Sequence, residues 1–510
     1  MRRDFAILAL VALLALGGCT GVDFVIPEPV QKEEGSENTQ KPSEPNEEPE
    51  EPTDKPEEPT DKPSSPSDTP TDPDTPTDTP TTPSNPSDTP SEPTYSAKVK
   101  WVASVEDLEK LTIVAGDTIV WRSGTYSNVS ISLSATGTAS KPIVLTGERG
   151  GEVVFTGSSQ LKVGGRYVEV KNLWWKDPSK TPLTLSGGSS HIVVSECAIT
   201  GFGTAENSKD YKWVSLYGSD HTIRNCYFAD KRNMGALLVV WMESGVVPRH
   251  TIEGNYFSRP YSIDNGTNGQ ETIRIGTSDY SLNRAECVVR GNVFHECNAE
   301  TEIVSNKSCG NTYEGNLFRA SEGVLTLRHG NDCIVRGNWF LGEGRSNTGG
   351  VRIIGEGHRV ENNYLEKLRG SGYKTAICLV RGEPNAALSG YAQVKGAVVR
   401  NNTIVGCRYS LHVNYGKDGM TMPVIESTIA DNTIYCTSGG DYAVYLYTSP
   451  APTITWSGNK IYGGKQNGVS LATLSAAPSI GSVTAAVAKV ESECGPKWKS
   501  EIKKIDINMD

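Results

Sequence analysis

The chain has 510 residues, 21% of them charged and 36% hydrophobic, with 29 prolines and a formal net charge of −11. Residues 27–93 hold 18 prolines, 19 acidic residues and 4 lysines, a charge of −15, so the rest of the chain carries +4. The acidity therefore describes a linker and says nothing about the working domain. About 415 residues remain for a core in one elongated domain or two compact ones.

In chain order, residues 1–18 come first. Arg2 and Arg3 precede an apolar run from Phe5 to Leu16, about a dozen residues, which is too short to span a bilayer and reads as a signal peptide. Its end, Leu16-Gly17-Gly18-Cys19, resembles a bacterial lipoprotein signal. The resemblance implies cleavage before Cys19 and lipidation of its thiol; the alternative is an ordinary secretory signal with a chance cysteine. The expected location is the bacterial cell envelope, with membrane contact only through the N-terminal lipid. Residues 19–94 then form a linker of Glu/Asp, Pro and Thr/Ser at short intervals, which has nothing to bury and is expected to stay extended.

The domain from 95 to 470 opens with Ser104-Val105-Glu106-Asp107-Leu108-Glu109-Lys110-Leu111, a capping residue with an acid three positions on. This predicts a short amphipathic helix that closes the start of the fold. A phrase then recurs: β-branched residues, a small or polar residue, Asn, and an aromatic or aliphatic pair. It is clearest around Asn255, Asn292, Asn316, Asn338, Asn363, Asn402 and Asn432, fainter at Asn172, Cys197 and Cys226, and last at Asn459. Successive centres differ by 25, 29, 29, 37, 24, 22, 25, 39, 30 and 27 residues. A period of this length, strand-like and bounded by Gly and Asn, predicts an all-β solenoid, a parallel β-helix. The repeated Asn is expected to be structural, tolerating left-handed backbone angles at a corner and stacking its amide into a ladder. The two long spacings mark loops inserted around 260–285 and 370–396, where a binding groove is expected. Ten cysteines after Cys19 show no metal-binding spacing and read as buried small hydrophobes, with room for one or two bridges. Residues 471–510 contain no repeat and read as a cap or tail.

The densest polar cluster spans three coils. It comprises Asn268-Gly269-Gln270-Glu271-Thr272-Ile273-Arg274, Glu300-Thr301-Glu302 through Lys307-Ser308, and Leu325-Thr326-Leu327-Arg328-His329-Gly330. Glu300 and Glu302, two apart in a strand, share a face, and Arg328 follows Lys307 by 21 residues, about one coil. Carboxylate and amide oxygens from Glu300, Glu302 and Asn268 suit a hard cation such as calcium.

These segments, with Gly349-Gly350-Val351-Arg352-Ile353-Ile354-Gly355, together resemble polysaccharide lyase family 6, which contains alginate lyases and chondroitinase B. The resemblance covers residues from about 98 to 470 and implies a right-handed parallel β-helix. It further implies Lys307 as general base, Arg328 as general acid, and Glu300, Glu302 and Asn268 as ligands of Ca2+. Arg274, His329 and Arg352 are implied to contact substrate or shape the site. The segments around Arg328 and Arg352 resemble the alginate branch more than the dermatan sulfate branch. The expected partner is thus an anionic polysaccharide, alginate, and not a nucleic acid.

The chemistry agrees with that assignment. The C5 proton of a uronate is removed only if charge on the neighbouring carboxylate is neutralised, and a lysine acts as base only where its charged form is disfavoured. A guanidinium hardly titrates, so Arg328 is expected either to donate to the leaving oxygen or to stabilise it, with the proton arriving through water or His329. A β-helical hydrolase would use Glu300 and Glu302 but leave Lys307 without a role. A non-catalytic glycan-binding module is the remaining alternative.

Overall fold

The computed structural model describes residues 98–201, 209–263 and 266–502. The expectations for the signal, Cys19 and the linker fall on residues outside these. The chain winds into a right-handed parallel β-helix whose three sheets have 14, 13 and 13 strands, each strand paired in parallel with its counterpart one coil on. Short strands of alternating or fully apolar residues suit this geometry, because one face of every strand looks into the coil. Val289, Tyr313, Val335, Val360, Val399 and Ile429 stand in register on successive coils. Five of them are fully buried aliphatics and the sixth is a fully buried ring. On the next wall, Phe228, Phe257, Phe294, Phe318 and Phe340 stack with centroids 5.2, 5.1, 4.5 and 4.6 Å apart. Those separations follow the spacing of hydrogen-bonded strands.

The repeated Asn builds the expected ladder. From Asn255 through Asn292, Asn316, Asn338, Asn363, Asn402 and Asn432 to Asn459, each side-chain amide donates to the Oδ1 of the next at 2.9–3.0 Å. Each also donates to a strand carbonyl, as Asn316 does to Val289 at 2.9 Å. The left-handed angle falls elsewhere than expected: the residue before the ladder position carries it. Gly254, Gly291, Gly315 and Gly337 have φ of 59–62°, and Asn362, Asn401 and Asp431 have φ of 54–59°. The ladder Asn must aim its amide along the stack, so the turn itself is made one residue earlier by Gly, Asn or Asp. Asn172, at φ 60°, is one of these turn residues, and Leu173 takes the ladder place in its coil.

Ser104 caps the helix Val105–Glu109, its hydroxyl accepting from the Asp107 N–H at 3.1 Å, and Leu108 is buried at the first coil. The ten cysteines from Cys197 to Cys494 are unpaired and buried. The C-terminal stretch first packs on the last coil, with Leu471 against the core and Thr473 bridged to Ile461, and then runs back along one flank as a strap. The helix Thr484–Glu493 packs Val487 against Val293 and Leu317, and Trp498 and Ile502 reach the cluster of Trp174 and Tyr227. The Gly495 N–H donates to the Gly254 carbonyl at 2.9 Å, and Trp498 lies so close to Gly150 that a Cβ there would meet its ring at 2.2 Å.

Candidate active site

The charged residues gather on the outward face of one 13-stranded sheet, over strands Ile273–Gly276, Glu302–Lys307, Gly323–His329 and Thr348–Ile353. Arg274, Ser305, Thr326 and Arg352 form one cross-strand row, while Val304, Leu325 and Val351 fill the interior beside them. Lys307 pairs with His329 across an irregularity that leaves Arg328 as an extra residue. Lys307 and Arg328 thus stand on neighbouring rungs, about 4.8 Å apart along the helix axis. Asn306 points inward and pins the backbone on both rungs. Its Nδ2 donates to the carbonyls of Ser308 and His329 at 2.8 Å, and its Oδ1 accepts from the Tyr313 hydroxyl at 2.7 Å.

Glu302 is the centre of the cluster. Its carboxylate accepts from Ser305 Oγ at 2.5 Å and meets Arg352 at 3.5 Å and Arg328 at 3.9 Å. Glu300 lies just before the strand rather than in it. It is buried all the same and accepts from the Gln270 N–H at 2.5 Å. Burial, with repulsion from Glu271 and Glu302, pushes its carboxyl up to about 8 against the Gln270 hydrogen bond. Glu271 is also buried, and its Oε2 has no hydrogen-bond partner. Arg259, fully buried behind them, spends its guanidinium on the carbonyls of Gly235, Glu271 and Asn233. Buried carboxylates that repel one another and leave an oxygen unsatisfied are a donor set that fits a hard cation. Among the described residues no group of three His, Cys, Asp or Glu is arranged to hold a metal. Asn268 is exposed and makes no hydrogen bond to either glutamate among the described residues. Gln270, two residues on, ties its loop to Glu300.

The two insertions meet over this face, with Ser281 Oγ donating to the Leu388 carbonyl at 3.5 Å. The second supplies residues that sequence reasoning missed. Arg328 donates to the carbonyls of Gly390 and Ser389 at 2.8 and 3.0 Å, and its guanidinium lies 4.2 Å from the Tyr391 ring. The Tyr391 hydroxyl accepts from Arg352 at 2.8 Å, and Arg352 also stacks 4.1 Å from Tyr373. An inserted loop carries no period, so nothing in the sequence marked Tyr391. Arg274 sits apart, 5.2 Å over Trp241, which also stacks on Tyr217. His329 lies beside Arg328, and burial with the cations Arg328, Lys307 and Arg352 holds its imidazole down to about 3, which favours the neutral form. A separate concavity of about 760 Å3 lies on another flank beside Glu493, lined by ion-paired Arg290, Glu253, Arg336 and Glu314.

Fold and site define a β-helical protein with a charged groove suited to an anionic polysaccharide. The profile of the chondroitinase B family matches residues 102–433. The chain belongs to that family, polysaccharide lyase family 6. Among solved structures it is similar to the PL6 family alginate lyase AlyGC, at 30% identity over 78% of this chain and 56% of that one, with a TM-score of 0.71. It is similar too to a mannuronic acid specific family 6 lyase from human gut microbiota, at 25% identity over 81% of this chain and 100% of that one, TM-score 0.67. A PL6 alginate lyase in complex with a trisaccharide shares the fold at 21% identity, covering 73% of this chain and 88% of that one, TM-score 0.62. The chain thus spans little more than half the length of AlyGC. No curated protein matches it.

Proposed function

We propose that this protein is an alginate lyase that cleaves the polyuronate by β-elimination, presented at the bacterial envelope on a lipid-bearing Cys19 and the proline-rich linker. The observation that carries the reading is the meeting of Arg328 and Arg352 on Glu302, with Lys307 one rung away. Glu300, Glu302 and, from its loop, Asn268 would hold Ca2+, which when bound neutralises the uronate carboxylate and acidifies C5. Arg352 and Arg274 orient the carboxylates of the sugar chain. Lys307, one rung from Arg328, takes the C5 proton. Arg328, held by the Ser389 and Gly390 carbonyls and by Tyr391, faces the O4 leaving group and stabilises it as the C4–O4 bond breaks. Neutral His329 adds no charge beside these groups, and the proton that O4 finally acquires comes through Arg328 or water.

Incubation with alginate tests the reading: a C4=C5 double bond gives ultraviolet absorbance as the chain shortens. Absorbance on dermatan sulfate but not alginate would move the protein to the other branch of the family. New reducing ends without absorbance would mean hydrolysis, and neither signal would mean a binding module.

A further inference from the structure

Beyond the catalytic cluster, the outward row of the same sheet continues from Arg352 to Cys378, His412 and Tyr445. Three rungs carry it about 14 Å along the helix axis. Over those rungs the face is paved with rings. Tyr373, against which Arg352 stacks, lies 4.9 Å from Tyr415, and Tyr415 lies 5.8 Å from Tyr447. Tyr447 is 5.0 Å from Tyr445, Tyr445 5.0 Å from Tyr442, and Tyr442 5.1 Å from Tyr409. The interior phenylalanine stack is explained by the core it fills. These six tyrosines are not: each lies on the outside of the coil and is only partly buried. A face outside the core has no need of such rings, and a contiguous run of partly exposed ones marks a binding surface. Cations stand at its edges. Lys417 is 5.4 Å from the Tyr373 ring, Lys465 5.5 Å from Tyr442 and Arg408 5.7 Å from Tyr409.

We propose that this tyrosine terrace is a remote binding rail for the same polyuronate chain, holding sugar units well beyond the bond that is cut. The inference rests on the alginate reading and deepens it. A uronate offers an apolar C–H face and a carboxylate edge. The tyrosine rings take the first, while Lys465, Arg408 and Lys417 take the second. The terrace is continuous with the catalytic groove through Arg352 and Tyr373, so one extended polymer engages both, and a short oligosaccharide at the catalytic centre never reaches Tyr442.

The test compares long alginate with an alginate trisaccharide for the wild-type protein, the pair Tyr442→Ala/Tyr445→Ala, the ring-keeping pair Tyr442→Phe/Tyr445→Phe, and Lys465→Glu at an exposed position. The alanine pair and Lys465→Glu are expected to raise KM for the polymer about tenfold at unchanged kcat. Turnover of the trisaccharide stays as in the wild type, and the phenylalanine pair behaves nearly as wild type on both substrates. Lys465→Glu carries the test if the alanine pair fails to fold. Equal losses on polymer and trisaccharide, or no loss on the polymer, would overturn the rail. A wild-type protein inactive on alginate would instead overturn the substrate reading on which it rests.

Discussion

Arg352 and Glu302 meet at 3.5 Å across an intervening coil of the sheet, 50 residues apart in sequence, with side chains only 4% and 11% exposed. A pair withdrawn from water to this degree is costly to break, because the survivor is left charged and poorly solvated. Arg352→Ala is therefore expected to lower thermal stability by about 3 kcal/mol and kcat/KM on alginate by about a hundredfold or more. Calorimetry and steady-state kinetics measure the two effects. A stable variant with normal kinetics would remove Arg352 from the site.

Lys307→Ala is expected to abolish elimination while the melting temperature stays close to wild type, since its side chain is half-exposed and its backbone is fixed by Asn306. Loss of a general base costs about 10²–10⁴ in rate. Near-normal double-bond formation by that variant would end the assignment. Arg328→Lys is expected to be almost as inactive as Arg328→Ala, because one ammonium cannot reach both the Ser389 and Gly390 carbonyls and still lie flat on Tyr391.

Removal of divalent cations is expected to suppress activity, and added Ca2+ to restore it. Binding between Glu300 and Glu302 also relieves their repulsion, so Ca2+ should raise the melting temperature of the stripped protein even without substrate. Glu300→Gln/Glu302→Gln should lose that shift. A wild-type protein whose melting temperature ignores Ca2+ would argue against the site.

Acid should destabilise the fold earlier than carboxylate titration alone would. Burial holds His221, His358 and His412 down to about 4 and His329 to about 3, and puts His250 well below its ordinary value. Below the unfolded value near 6.5 the unfolded chain binds more protons than the folded one. Stability is thus complete above that pH and is lost as pH falls towards the folded values. Each histidine contributes about 1.4 kcal/mol per pH unit inside its window, with Glu300 opposing by one proton while no cation is bound. Urea midpoints measured from pH 7 to pH 4 should fall steeply, and His358→Gln should flatten the slope by about one proton. An unchanged midpoint down to pH 5 would contradict this.

The fold was legible because a β-helix needs the same residue at the same corner of each coil, and Asn292, Asn316 and Asn338 satisfy that need within a few residues of sequence. The exact corner was not: ladder and turn are neighbouring positions that both accept Asn, and only backbone angles separate Asn172 from Asn255. In the site, Lys307, Arg328 and the glutamate pair were visible because charged residues are rare on strands. Tyr391 and Tyr373 were invisible because the loops bearing them follow no period. The strap escaped notice for a related reason, since the contact of Gly495 with Gly254 leaves no trace in either local pattern.

That strap changes what kind of object the solenoid is. A plain stack of coils behaves like a zipper, free to open from either end one tooth at a time. Here residues near 500 are stitched to coils formed hundreds of residues earlier, with Trp498 bonding to Glu196 across 302 positions. Loosening the middle must therefore undo the hem as well, so coils that would otherwise fray separately are bound to a common fate. The groove that runs over those coils inherits the stiffness.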